Sequence, residues 1–155
     1  SLHREKTTTV IGTAGLAELE GRTAELKALR PDHWQHIEGN LLNEYMDKAL
    51  RSSDQILIDS VNQWLANFLL ESWKKYDLQQ QEARIDLEVR KFAETMQLHP
   101  QKRIVIVSSE IGAGVTPSQE LSRFFRQLLG RIHIAIAKQA SSVVQVVAGI
   151  TLRIK

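Results

Sequence analysis

Gln55-Ile56-Leu57-Ile58-Asp59-Ser60-Val61-Asn62-Gln63-Trp64-Leu65 decides how this chain is read. In residues 55–61, Gln55 is followed by three apolar side chains in a row, two of them β-branched, with no polar alternation. That pattern marks a strand covered on both faces, as in a parallel sheet. From Val61 the rhythm changes. Val61, Trp64, Leu65, Phe68 and Leu69 recur at the spacing of one helix face, which predicts a helix over 61–76. A buried strand running straight into an amphipathic helix is one half of a β-α-β unit.

Three further apolar, β-branched runs flank it: 8–12 (TTVIG), 103–108 (RIVIVS) and 143–148 (VVQVVA), the last followed closely by 151–155. The 103–108 run also lacks alternation and is expected to be buried on both faces. Between the runs lie helical patterns. Residues 16–29 are rich in Ala, Leu, Glu and Lys, all good helix formers, and stop before Arg30-Pro31. Residues 37–51 form a second candidate and 78–98 a long, charged, amphipathic one. The last helix is expected over 117–140, with Pro117 in its first turn and Thr116 or Ser118 as cap. Strands alternating with helices predict an α/β domain, a mostly parallel sheet flanked by helices. The 155 residues fit one domain, 1–155, with no internal boundary.

Bulk composition removes several function classes. A net charge of +2 is too small for a nucleic-acid footprint, and no basic stripe carries interleaved aromatics. The absence of cysteine excludes disulfides, thiolate zinc sites and a cysteine nucleophile. No apolar run reaches the ~18 residues of a membrane span, and the polar start resembles no signal peptide. A cytoplasmic protein without nucleic-acid or membrane partners is expected.

Ligands of parallel α/β sheets bind beyond the carboxyl ends of the strands. Two segments fall there. Asp59, after three apolar residues at a strand end, has the form of a Walker B carboxylate that holds Mg²⁺ beside a nucleotide's phosphates. The plainer alternative is an aspartate capping the next helix. The other segment is Ser108-Ser109-Glu110-Ile111-Gly112-Ala113-Gly114. Gly112 and Gly114 permit close approach of backbone to a ligand, and Glu110 would sit at the sheet's rim. Here the plainer alternative is a strand-to-helix connection. His33 and His36 flank Trp34, with Glu38 nearby. His-x-x-His can hold a metal on one helix face, but a loop with surface histidines and an anchoring tryptophan fits better. His133 lies in an apolar helical run and reads as a packed or interfacial histidine. The Gly-x-x-x-x-Gly-Lys-Ser/Thr phosphate loop does not occur in these residues.

Taken together, these stretches resemble the bifunctional adenosylcobinamide kinase / adenosylcobinamide-phosphate guanylyltransferase family of cobalamin biosynthesis. The resemblance rests on the Glu110-Ile-Gly-x-Gly turn with Pro117, on Arg123-x-Phe125-Arg126, and on the closing Gly149 to Lys155 stretch. It also rests on Asp59 with Trp64, Leu65 and Asn67, and on Arg30-Pro31-x-x-Trp34. It runs from about Thr8 to Lys155 and implies a P-loop NTPase (RecA-like) sheet. It further implies GTP or ATP with Mg²⁺ as cofactors and an adenosylcobinamide-type corrinoid as substrate. Such proteins phosphorylate the aminopropanol hydroxyl and then pass GMP from GTP through a guanylylated histidine, as homotrimers that share sites. By resemblance, Asp59 is the magnesium-linked carboxylate. Glu110, Gly112 and Gly114 shape the base or substrate pocket, and Arg30 and Trp34 lie near the guanine or corrinoid side.

The departures are specific. The family's P-loop and its strand would precede Ser1. Glu25 stands where the family has its nucleotide-accepting histidine, and a carboxylate is a poor substitute because its added charge repels the phosphate. Ser109 replaces an asparagine, Gln127 an aspartate, and His133-Ile134 an Asn-Gln pair. Two readings follow: an enzyme of this family, or a degenerate relative that binds nucleotide, corrinoid or a partner without turnover. A physical expectation follows too. The P-loop strand belongs mid-sheet, and without it two strands would each lack a neighbour, at roughly 1–3 kcal/mol per unpaired buried backbone group. Upstream residues are the expected remedy.

Overall fold

The computed structural model describes residues 2–13 and 28–155. The expected helix at 16–29 and Glu25 thus fall almost entirely outside the described residues. Within them, four parallel strands form one sheet in the order β2-β1-β3-β4. They are β1 (Thr8–Gly12), β2 (Gln35–Glu38), β3 (Gln55–Asp59) and β4 (Arg103–Val107). The mostly parallel α/β architecture is as expected. In register, Gly12 stands between Glu38 and Asp59, and Asp59 stands opposite Val107. One row across the carboxyl rim thus reads Glu38, Gly12, Asp59, Val107.

Among the described residues run four helices: α1 (Leu42–Ser52), α2 (Val61–Ser72), α3 (Leu78–Leu98) and α4 (Glu120–Gln139). Each contributes an apolar stripe to one core. α1 buries Leu42, Met46, Ala49 and Leu50, spaced on one face. α2 adds Val61, Trp64, Leu65 and Leu69, and α4 adds Phe124, Leu128, Leu129 and Ile132. Their sheet-side partners are Ile11, Ile56 and Ile58, with Ile104 and Ile106 partly covered. These five occupy alternate positions and so share one sheet face. α3 starts on a reciprocal capping box, in which Asp77 accepts from the Gln80 backbone and Gln80 from the Asp77 backbone.

The structure corrects several expectations. Residues 35–38 are strand, not the start of a helix, because Gln-His-Ile-Glu pairs along β1 and the helix begins only at Leu42. The last helix begins at Glu120 with Gln119 as N-cap, so Pro117 lies before its first turn and neither Thr116 nor Ser118 caps it. β4 is not covered on both faces. None of its five residues is fully buried, because it is the edge strand of the four. The C-terminal runs do not join the parallel sheet. β5 (Val144–Val147) and β6 (Ile150–Arg153) form a separate antiparallel hairpin. Its two-residue turn uses Ala148 at φ 51° and Gly149 at φ 78°, the left-handed pair that a twisted hairpin prefers. The sheet is therefore continuous from β2 to β4. Among the described residues, the strands without a neighbour on one side are its edges and the hairpin.

Candidate functional site at the carboxyl rim

Thr13, directly after β1, and the loops after β2 and β3 are tied together by side chains that the sequence pattern did not single out. Thr13 is buried and works in both directions. Its hydroxyl donates to the Ser60 carbonyl at 2.5 Å and accepts from the Ser60 N–H at 3.0 Å. Asn67, one and a half turns into α2, donates to the Thr13 carbonyl at 2.7 Å and to Asn40 Oδ1 at 3.0 Å. Gly39 N–H closes onto the Gly12 carbonyl at 3.0 Å. The Glu38 carboxylate lies over Gly12, where an added Cβ would have to push that side chain aside. The signal for these residues was present as a glycine ending a β-branched strand and an asparagine on an otherwise apolar helix. Neither motif names a partner.

Asp59 sits at the end of β3 and is partly exposed. Its Oδ2 accepts a charge-assisted hydrogen bond from Arg30 Nη2 at 2.7 Å, with the side chains 29% and 14% exposed. The helix-capping alternative fails, because Ser60 is the N-cap of α2 and no side chain bonds there. Arg30 and Asp59, expected in one site, are in direct contact.

The glycine turn lies on the same rim. β4 ends at Val107, opposite Asp59, and the backbone N–H of Ser109 donates to Asn62 Oδ1 at 3.0 Å. Asn62 is only three residues past Asp59. Glu110 accepts through Oε1 from the Gly112 N–H, and Arg126 of α4 donates to the Gly112 carbonyl. Gly114 is exposed and meets nothing close. His133, on α4, has Nε2 2.8 Å from Ser108 Oγ and Nδ1 3.7 Å from Glu110 Oε2. Sequence reasoning placed this histidine in packing and missed that it reaches the turn.

Trp34 is not brought into this group. It precedes Gln35, which pairs with Thr9 near the beginning of β1, so it stands at the opposite, amino-terminal rim. Strand geometry puts about 13 Å between that level and Glu38. The Trp34 indole N–H points to the Arg4 carbonyl at 3.5 Å. His33 is exposed in the preceding turn and His36 lies in β2. A cavity of about 290 Å³ also lies at the amino-terminal rim, lined by His3, Lys6, Asp54, Gln55 and Arg103 among others. None of the rim residues discussed above lines it.

A magnesium ion beside Asp59 fits this geometry in a limited way. Mg²⁺ commonly keeps several waters and takes only one or two protein carboxylates. Asp59 alone satisfies that, with Oδ2 already engaged by Arg30. Among the described residues no group of three or more His, Cys, Asp or Glu could hold a metal unaided.

An all-parallel sheet with flanking helices, carrying an aspartate and a glycine turn together on its carboxyl rim, defines an α/β protein of the P-loop NTPase-like class. The family model described as cobinamide kinase / cobinamide phosphate guanyltransferase matches residues 4–154, and the chain belongs to that family. The bifunctional adenosylcobalamin biosynthesis protein CobP of Pseudomonas aeruginosa is 36% identical over 146 residues, covering 92% of this chain and 78% of that protein. The protein of the same description named CobU is 31% identical in Salmonella typhimurium and 29% in Escherichia coli K12. Each of these two alignments covers 89% of this chain and 79% of the relative.

Proposed function

We propose that this chain serves cobalamin biosynthesis as a kinase and guanylyltransferase of cobinamide. One observation carries the reading: Asp59 and the Glu110–Gly114 segment, about fifty residues apart in sequence, meet on one rim. In this reading Asp59 holds Mg²⁺ through water beside the phosphates of GTP or ATP, and Arg30 fixes the direction of its carboxylate. Glu110, Gly112 and Gly114 shape the base or substrate pocket. Trp34, at the other rim, keeps no part in that pocket. The outer edge of β4 is open among the described residues, and in this reading a phosphate-cradling strand would pair there. The whole then forms a single domain. A cytoplasmic homotrimer completes the proposal by analogy with the family; no helix among the described residues is long and apolar enough to cross a membrane.

In the kinase step the acceptor hydroxyl oxygen bonds the γ-phosphorus, the bond to the β-phosphate bridging oxygen breaks, and the hydroxyl proton leaves to a base. Asp59 and Arg30 do not exchange atoms; they orient. In this reading the guanylyl step lacks the family's nucleotide-accepting histidine, because Glu25 stands at that position. The non-catalytic alternative loses ground to relatives named as bifunctional over about nine-tenths of this chain.

The test is turnover of the full-length chain with cobinamide, Mg²⁺ and GTP or ATP, read by mass. Phosphorylated cobinamide is expected, and Asp59→Ala should lower kcat/KM at least a hundredfold. No phosphorylated product with either nucleotide would sink the kinase reading.

A further inference from the structure

The rim holds one contact that the functional reading leaves unused. His133 touches the segment after β4 at two residues, Ser108 through Nε2 and Glu110 through Nδ1. Seven residues earlier on α4, two helical turns away on the same face, Arg126 donates to the Gly112 carbonyl. One helix face therefore grips the turn at both ends.

The two histidine contacts differ in kind. The 2.8 Å separation from Ser108 Oγ is a hydrogen bond. With the serine donating, the neutral ring carries its proton on Nδ1 and turns it toward Glu110; a protonated ring donates from both nitrogens. At 3.7 Å, Nδ1 lies outside hydrogen-bond range of Oε2 but attracts it. Glu110 Oε1 is held by the Gly112 N–H. Oε2 is thus steered but not saturated, and the Glu110 side chain is 50% exposed while His133 is 26% exposed.

We propose that His133 is a positioning residue. By holding Ser108 and facing Glu110, it presents Oε2 of Glu110 to a hydroxyl or amino donor of the ligand at the Gly112–Gly114 turn. This rests on the functional reading above and deepens it. Both a nucleoside and the amino-alcohol arm of cobinamide carry such donors, so the two are offered separately as probes.

The experiment is calorimetric titration of the full chain with GTP plus Mg²⁺, and with cobinamide. The variants are Glu110→Gln, His133→Ala, His133→Asn, the Glu110→Gln/His133→Ala pair, and Ile134→Ala as a control on an exposed neighbour in the same helix. Glu110→Gln and His133→Ala should each weaken the same probe about tenfold. The pair should bind no worse than Glu110→Gln alone, because the histidine acts through the glutamate. His133→Asn, which still offers an N–H, should recover most of the loss, and Ile134→Ala should bind as wild type. Wild-type affinity in His133→Ala beside a weakened Glu110→Gln would overturn the inference while leaving the functional reading intact. So would additive losses in the pair, which denote a purely structural histidine. Failure of the wild-type chain to bind either probe would remove the functional reading and this inference together.

Discussion

Strands β3 and β4 carry nearly the same letters, Gln-Ile-Leu-Ile-Asp and Arg-Ile-Val-Ile-Val, yet the fold treats them differently. In β3, Ile56 and Ile58 are wholly inaccessible to solvent. In β4, the equivalent Ile104 and Ile106 are only partly covered, and Val107 is 42% exposed. Side-chain character is the same; neighbours are not. β3 pairs with β1 and β4, whereas β4 has β3 alone among the described strands. The C-terminal hairpin extends the contrast. Val144, Val146, Val147, Ile150 and Leu152 are all apolar, and all are about half exposed or more. An isolated two-stranded hairpin is marginal on its own. Burial is thus a property of the strand's place in the sheet, and the carboxyl rim is built where the packed and thinly covered regions meet.

The largest test of this contrast compares Leu65→Ala with Val146→Ala. Leu65 is fully buried in the core, so truncation should cost about 3–5 kcal/mol by lost transfer energy and the cavity left behind. Val146 is 63% exposed, and its truncation should stay within about 0.5 kcal/mol. Urea denaturation measures both. A cost of 2 kcal/mol or more at Val146 would show that the hairpin is packed in solution and would erase the contrast.

Much of this was legible in the sequence, for a definite reason. Parallel strands read as uninterrupted apolar runs, so β1, β3 and β4 could be placed from their letters. α2 and α3 announced themselves by helical spacing, and α3 runs over 78–98 as expected. β2 was missed because Gln-His-Ile-Glu is short and polar; it is strand only because β1 supplies its hydrogen bonds. The rim was half legible. Asp59 and the Gly112 turn follow from the rule that ligands lie beyond strand ends. The Arg30 contact, and the reach of His133 across twenty-five residues to Ser108, depend on tertiary placement that no local pattern encodes. Trp34 stands at the opposite rim from Arg30 although only four residues separate them, because those residues run from one rim to the other.

The second prediction concerns the ion pair on the packed side of the rim. Asp59→Asn should destabilise by about 1–3 kcal/mol, since it leaves a mostly buried guanidinium against a neutral acceptor. Pairing this change with Arg30→Met tests the coupling. The double variant should recover part of the loss, because an unpartnered charge is worse than none. Strict additivity in thermal or urea melts would mean that the two side chains do not interact in solution.

Asn67→Ala comes next in size. It removes two hydrogen bonds, to the Thr13 carbonyl and to Asn40, and should cost about 1–2 kcal/mol. Its effect should be localised. Amide exchange at Thr13 and in the loop after β2 should quicken, while that of the hairpin stays unchanged. Equal quickening in both places would mean that the rim network and the hairpin open as one unit.

The smallest effect is expected at the hairpin turn and sharpens the comparison from its weaker side. Ala148 occupies a left-handed conformation at φ 51°, which costs an L-residue with a Cβ about 1–2 kcal/mol. Ala148→Gly removes that penalty but adds unfolded-chain entropy of about 0.4–1 kcal/mol, leaving a net gain of about 0–1.6 kcal/mol. Because β5 and β6 pair only with each other among the described residues, the gain should appear as slower exchange of hairpin amides such as Val144 and Ile150, with the global midpoint unmoved. A rise of the global midpoint by several degrees would instead show the turn's strain acting on the whole domain. The hairpin would then belong to the same cooperative unit as β1 and β3, and its apolar faces would have to be covered when the protein folds.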